Sequence, residues 1–104
     1  VGSSASLHTT HDPITFPVVS QDKKTLWLVE GDGRQGWYST GLTGNELVGF
    51  AKKLGGYNAT RFDGGGSSTV WIYDAAAGKG KVVNSVSDSK GERICLNYML
   101  IRLK

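Results

Sequence analysis

The chain has 104 residues, 38% hydrophobic, 20% charged and 10% aromatic, with 12 Lys and Arg against 9 Asp and Glu for a formal net charge of +3. That composition excludes a disordered polyelectrolyte, and the length admits at most one domain, which buries only about two thirds of its unfolded surface. The apolar runs fall far short of the roughly 18 residues of a membrane-spanning helix, and the basic residues, never more than two together, argue against a nucleic-acid patch while suiting an anionic substrate.

Residues 1–12, VGSSASLHTTHD, are small and polar without a period and read as a loop or tail, leaving 13–104 as the candidate domain. No signal peptide is visible at Val1, and the missing initiator Met suggests processing or truncation. His8 and His11 are spaced H-x-x-H. Without a helix signal or a third ligand they read as a solvated pair, and no metal or other cofactor is expected.

Ile14 to Val19 and Thr25 to Val29 are β-rich runs around the turn composition Gln21-Asp22-Lys23-Lys24, and together predict a hairpin. Thr43-Gly44-Asn45-Glu46 is a capping box. Leu47, Phe50, Ala51 and Leu54 follow at i, i+3, i+4 and i+7, and Gly55-Gly56 supplies a stop, so a helix is predicted over about 44–54. Beyond it, Tyr57 to Phe62, Thr69 to Tyr73, Lys81 to Val83 and Ile94 to Leu103 read as strands. The expected fold is α+β, a mixed sheet of about six strands with one amphipathic helix. The single cysteine, Cys95, excludes an internal disulfide and, lying in the apolar run ICLNYMLIRL, is expected to be a buried thiol.

The segment DGGGSS, from Asp63 to Ser68, resembles a flexible linker, but neither flank is long enough to be a domain. Three glycines leaving a strand allow positive φ and close approach of a ligand, and successive N–H groups there can form an anion-binding nest, with Ser67 and Ser68 adding hydroxyl donors. It is not a Walker A loop, since the Lys is absent and a strand follows it. Glu30-Gly31-Asp32-Gly33-Arg34-Gln35 and Asn84 to Arg93 are two further polar, glycine-containing strand exits. Each alone is more often a surface turn than a site.

The succession L-V-E-G-D-G-R-Q, a helix ending K-L-G-G-Y-N-A, then D-G-G-G-S-S-T, V-V-N-S-V-S-D and G-E-R before a last strand resembles the phosphodiester glycosidase family, the domain of mannose 6-phosphate uncovering enzyme and its bacterial relatives. The match runs from about His11 to Leu103. It implies hydrolysis of a sugar 1-phosphodiester of the N-acetylglucosamine-1-phosphodiester kind, releasing free sugar and a phosphomonoester, with a small-molecule or glycan substrate and no nucleic acid or membrane span. The motif positions fall on Asp63, Glu92 and Asp32 as candidate catalytic carboxylates. Arg34, Gly64, Gly65, Gly66, Ser67, Ser68, Asn84, Ser87, Asp88 and Arg93 are the candidate substrate and phosphate ligands.

Two departures stand out. The family usually has Arg-Pro after V-V-N, where this chain has Ser85-Val86, so more of the phosphate binding falls on Arg34 and Arg93. The family's Asn-Gly-Gly-Phe-Phe-like segment does not occur here, so the chain resembles the C-terminal half of the domain, and a second chain carrying the other half is an expected partner. The family also implies an extracytoplasmic location. A non-catalytic phosphosugar or cell-wall glycan binding module is the alternative function. Among Trp27, Trp37 and Trp71, the pair Trp37-Tyr38 beside the Asp32 loop is the best candidate for a sugar platform, although ordinary core or rim packing is the commoner use of such residues.

Overall fold

A computed structural model describes residues 9–95 and 98–104. Its elements are β1 (Ile14–Val19), β2 (Leu26–Gly31), α1 (Gly44–Lys53), β3 (Asn58–Ala59), β4 (Trp71–Asp74) and β5 (Lys79–Val82), with a single 3-10 turn over Gly65–Ser67. They form a three-stranded sheet of order β2-β1-β3 and a separate β4-β5 ribbon. The α+β class holds, with five strands in two sheets where about six were expected.

In β1, Ile14, Phe16 and Val18 alternate with Thr15 and Pro17, so one face carries three large side chains, all fully buried. β2 pairs with it antiparallel from Ile14↔Gly31 to Val19↔Leu26. The connecting turn closes through Ser20 and Asp22, whose carboxylate accepts from the Ser20 hydroxyl at 2.6 Å and the Lys24 N–H at 3.0 Å.

Helix α1 begins as its capping box requires. Thr43 Oγ1 accepts from the Glu46 N–H, and Glu46 Oε2 accepts from the Thr43 N–H at 2.9 Å. Leu47 and Ala51 complete the buried cluster over the Ile14-Phe16-Val18 face, and the Phe50 ring meets Phe16 edge-on at 6.3 Å. The helix stops at the glycines, with Gly55 at φ +85° and the Gly56 N–H donating to the Ala51 carbonyl at 2.9 Å.

The run Tyr57 to Phe62 does travel beside β1, but only Asn58–Ala59 forms a regular ladder. The Tyr57, Thr60 and Phe62 N–H groups donate to the carbonyls of Val19, Pro17 and Thr15. Pro17 has no N–H to return to the Thr60 carbonyl, so the regular ladder ends at Val18↔Ala59. The bridge Ile14↔Gly64 then delivers the glycine segment to the start of β1.

Three expectations need correction. Strand β5 starts earlier than Lys81, because pairing with β4 (Asp74↔Lys79, Tyr73↔Gly80) overrides the weak β-propensity of Lys79-Gly80. The run Ile94 to Leu103 forms no strand among its described residues: the sequence has the propensity but finds no ladder partner, and Ile94 is 94% exposed. Cys95 in that run is therefore exposed, not buried, its thiol directed to the Arg93 carbonyl. His11 pairs with Glu46 at 3.2 Å, and His8 lies outside the described residues.

Candidate functional site

Four segments converge at one end of the three-stranded sheet: Asp12-Pro13 before β1, Asp32 to Gln35 after β2, Asp63 to Ser68, and Asn84 to Arg93 after β5. The first two are held together by Arg34, whose Nε donates to Asp12 Oδ1 at 2.9 Å. Arg34 is a non-glycine residue at φ +55°, a conformation that costs free energy and is here imposed by the tight turn in which the Arg34 and Gln35 N–H groups donate to the Thr40 and Ser39 carbonyls.

Asp32 is a joint between two segments. Its carboxylate accepts from Asn84 Nδ2 at 3.1 Å and, through both oxygens, from the Ser85 N–H at 3.0 Å. Asn84 also donates to the Ser68 carbonyl at 3.0 Å and accepts from the Val70 N–H at 2.8 Å. Gln35 and Ser85 exchange two further bonds, of 2.9 and 2.7 Å. Ser85, standing where a cation was expected, thus ties the Asp32 loop to the Asn84 loop.

The glycine segment is ordered by its neighbours. Asp63 Oδ1 accepts from the Gly64 N–H at 3.0 Å, the Gly65 N–H donates to the Pro13 carbonyl, and the Ser67 N–H to the Gly64 carbonyl. Of the four amides from Gly64 to Ser67, Gly66 alone makes no hydrogen bond within the described residues. Ser68 is 1% exposed, and its hydroxyl has no partner among the described residues.

What surrounds these glycines is cationic. A Cβ on Gly64 would lie 2.9 Å from Arg61 Nη2, one on Gly65 2.9 Å from Arg34 Nη1, and one on Gly66 2.6 Å from Arg93 Nη2. A guanidinium thus packs against each of three consecutive glycines, and at Gly64 the backbone carbonyl of Pro13, 2.8 Å from the same position, is the fixed obstacle to a side chain. Gly65, at φ +64°, is doubly constrained. Arg93 is in turn held by Asp88, with Nε and Nη2 at 3.1 and 2.9 Å from Oδ2. The Lys90 N–H and then Arg93 hold the Asp88 carboxyl below its ordinary value.

Of the expected site residues, Asp32, Arg34, Asp63 to Ser68, Asn84, Asp88 and Arg93 are brought into this network. Glu92 is exposed and makes no hydrogen bond or ion pair among the described residues, and the Ser87 hydroxyl makes none. Trp37 is 86% exposed, 5.6 Å from the Tyr38 ring, and projects from the Asp32 loop.

Two residues of the site were not singled out from sequence. Arg61 falls within the strand-like run Tyr57 to Phe62, and its position two residues before Asp63 is the signal that places it beside the glycine segment. Glu30 lies near the end of β2, two residues before Asp32 in the turn that follows. Its carboxyl accepts from the Thr15 hydroxyl, its Oε1 is buried without a partner, and burial, with the negative Asp32 nearby, pushes it up to about 7.

A pocket of ≈ 190 Å³ opens between Glu30, Asp32, Leu42 and Phe50. This is smaller than the roughly 300–1,000 Å³ of most small-molecule sites.

The phosphodiester glycosidase family model matches residues 6–102. The chain belongs to the phosphodiester glycosidase family. No curated protein and no solved structure matches it. The family's name denotes a glycosidase, a hydrolase acting on a glycosidic phosphodiester, and a glycan-type substrate follows from it. Among the described residues of this phosphodiester glycosidase domain no helix is long and apolar enough to cross a membrane.

Proposed function

We propose that the glycine face binds the phosphate of a sugar 1-phosphodiester of the N-acetylglucosamine-1-phosphodiester class and hydrolyses the bond between the anomeric carbon and the phosphate oxygen. The observation that carries this reading is the stack of guanidinium groups on Gly64, Gly65 and Gly66 beside the Asp63 carboxylate. Water adds to the anomeric carbon, the C–O bond breaks, and its electron pair leaves on the phosphate oxygen, giving free sugar and a phosphomonoester. Phosphate is already a good leaving group, so charge stabilisation by Arg34, Arg93 and the Gly66 N–H replaces much of the proton donation that ordinary glycosides need.

Asp63 is the leading base or nucleophile: it is exposed, and its Oδ1 is fixed by the Gly64 N–H while Oδ2 makes no hydrogen bond among the described residues. Glu92 is the second carboxylate, as acid or sugar ligand. Asp32 and Asn84, engaged with each other, position the loops and do not touch substrate. Trp37 offers a stacking face to the sugar. An extracytoplasmic location is part of the same proposal, supported by the family alone.

The test is Asp63→Asn with a sugar 1-phosphodiester. Turnover falls by at least about a hundredfold with affinity retained; unchanged rate and affinity together overturn the assignment.

One observation favours a second reading, a phosphosugar-binding module: Asp63 and Glu92 are exposed and no contact brings them together. Saturable binding without any turnover distinguishes it. A further chain segment carrying the Asn-Gly-Gly-Phe-Phe-like motif, in this polypeptide or a second one, is the proposed complement to the exposed Leu26 and Leu28 of β2 and Trp71, Ile72 and Tyr73 of β4. Intact-mass analysis of the purified material for a companion chain tests it.

A further inference from the structure

The three guanidinium groups on the glycine face are not equivalent. Arg34 is ion-paired with Asp12 and Arg93 with Asp88, each at 2.9 Å, so these two contribute directed N–H donors but little net charge. Arg61, against Gly64, makes no hydrogen bond or ion pair among the described residues and is exposed. Asp63, the one remaining carboxylate on the segment, is occupied at Oδ1 by the Gly64 N–H. Arg61 is therefore the one guanidinium of the three without a carboxylate partner among the described residues.

We propose that Arg61 is a third phosphate-binding residue and sets the charge preference of the site, favouring a dianionic phosphomonoester over a monoanionic phosphodiester. A paired arginine offers much the same hydrogen bonds to either ligand. An unpaired cation adds an attraction that grows with ligand charge, modest at an exposed position but sufficient to discriminate one charge from two. The preference runs toward the product of the proposed reaction, so the phosphomonoester formed is retained and inhibits, and Arg61 governs how strongly. This inference rests on the phosphate-binding reading of the glycine face.

The test titrates the intact chain at about pH 8, where phosphate is largely dianionic, with inorganic phosphate and separately with dimethyl phosphate, a monoanion. Binding is followed by calorimetry and the fold of each variant by circular dichroism. Wild type is expected to bind phosphate the more tightly. Arg61→Gln lowers phosphate affinity about five- to tenfold and dimethyl phosphate affinity only about two- to threefold, because the attraction scales with ligand charge, while Arg61→Lys keeps most of the preference. Arg93→Gln weakens both ligands together.

An Arg61→Gln variant that keeps the phosphate preference while Arg93→Gln loses affinity overturns the role of Arg61 and leaves the glycine face standing. Failure of wild type to bind either ligand, or binding indifferent to every one of these substitutions, overturns both.

Discussion

The Asn84 amide lies 3.1 Å from the Asp32 carboxylate, although 52 residues separate them in the chain. Through this pair the turn after β2, the segment after the glycines and the exit of β5 become one body. That body is the frame on which Arg34 and Arg93 reach Gly65 and Gly66.

Asn84→Ala leaves the Asp32 carboxylate, the Ser68 carbonyl and the Val70 N–H each short of a partner. A loss of about 2 kcal/mol in urea unfolding is expected, since partly buried groups left unpaired cost about 1–3 kcal/mol. Combined with Asp32→Ala, the two losses should fall short of additivity by about 1 kcal/mol. Strict additivity would show that the two residues do not act as a unit.

Gly65→Ala meets two obstacles, positive φ and the Arg34 guanidinium. It should cost about 1–2 kcal/mol and weaken phosphate binding, because Arg34 must move. Gly49→Ala is the control: it sits inside α1 with nothing near its Cβ position, and should stabilise by about 0.5–1 kcal/mol through helix propensity alone. Equal effects from the two substitutions contradict the packing described.

Glu30 titrates at about 7 in the folded protein against 4.5 for the ordinary group. The folded state holds this proton more tightly than the unfolded chain does, so the contribution of Glu30 to stability is greatest below about pH 4.5 and declines as pH rises toward 7, where the folded carboxyl also ionises. The group is partly solvated, and screening reduces the effect to about 1 kcal/mol. Glu30→Gln should remove this decline and exceed wild type at pH values above 7, while matching it in acid. An unchanged pH profile for the variant would place the carboxyl in water.

Much of this frame was legible in the chain before any coordinates. The Thr43 and Glu46 spacing sets the helix start, the β1–β2 hairpin follows from alternation, and the polar strand exits at Asp32, Asp63 and Asn84 do meet. The short β3 depends on a missing donor at Pro17, which only the pairing reveals. The run from Ile94 to Leu103 has every local mark of a strand but no partner among its described residues, and local marks do not supply one. Arg61 escaped notice because a single charged residue in a strand-like run is ordinary, and Glu30 stood out only as one member of a polar strand exit. Their meaning comes from Gly64 and Thr15, which are brought to them by the sheet.

The most direct measurement of the proposed chemistry is hydrolysis of a sugar 1-phosphodiester in water enriched in heavy oxygen, with mass analysis of both products. Attack at the anomeric carbon places the label on the released sugar and leaves the phosphomonoester unlabelled, in equal amounts. Label in the phosphate would mean cleavage of the phosphorus–oxygen bond, and would contradict a glycosidase built on the Asp63 to Ser68 segment.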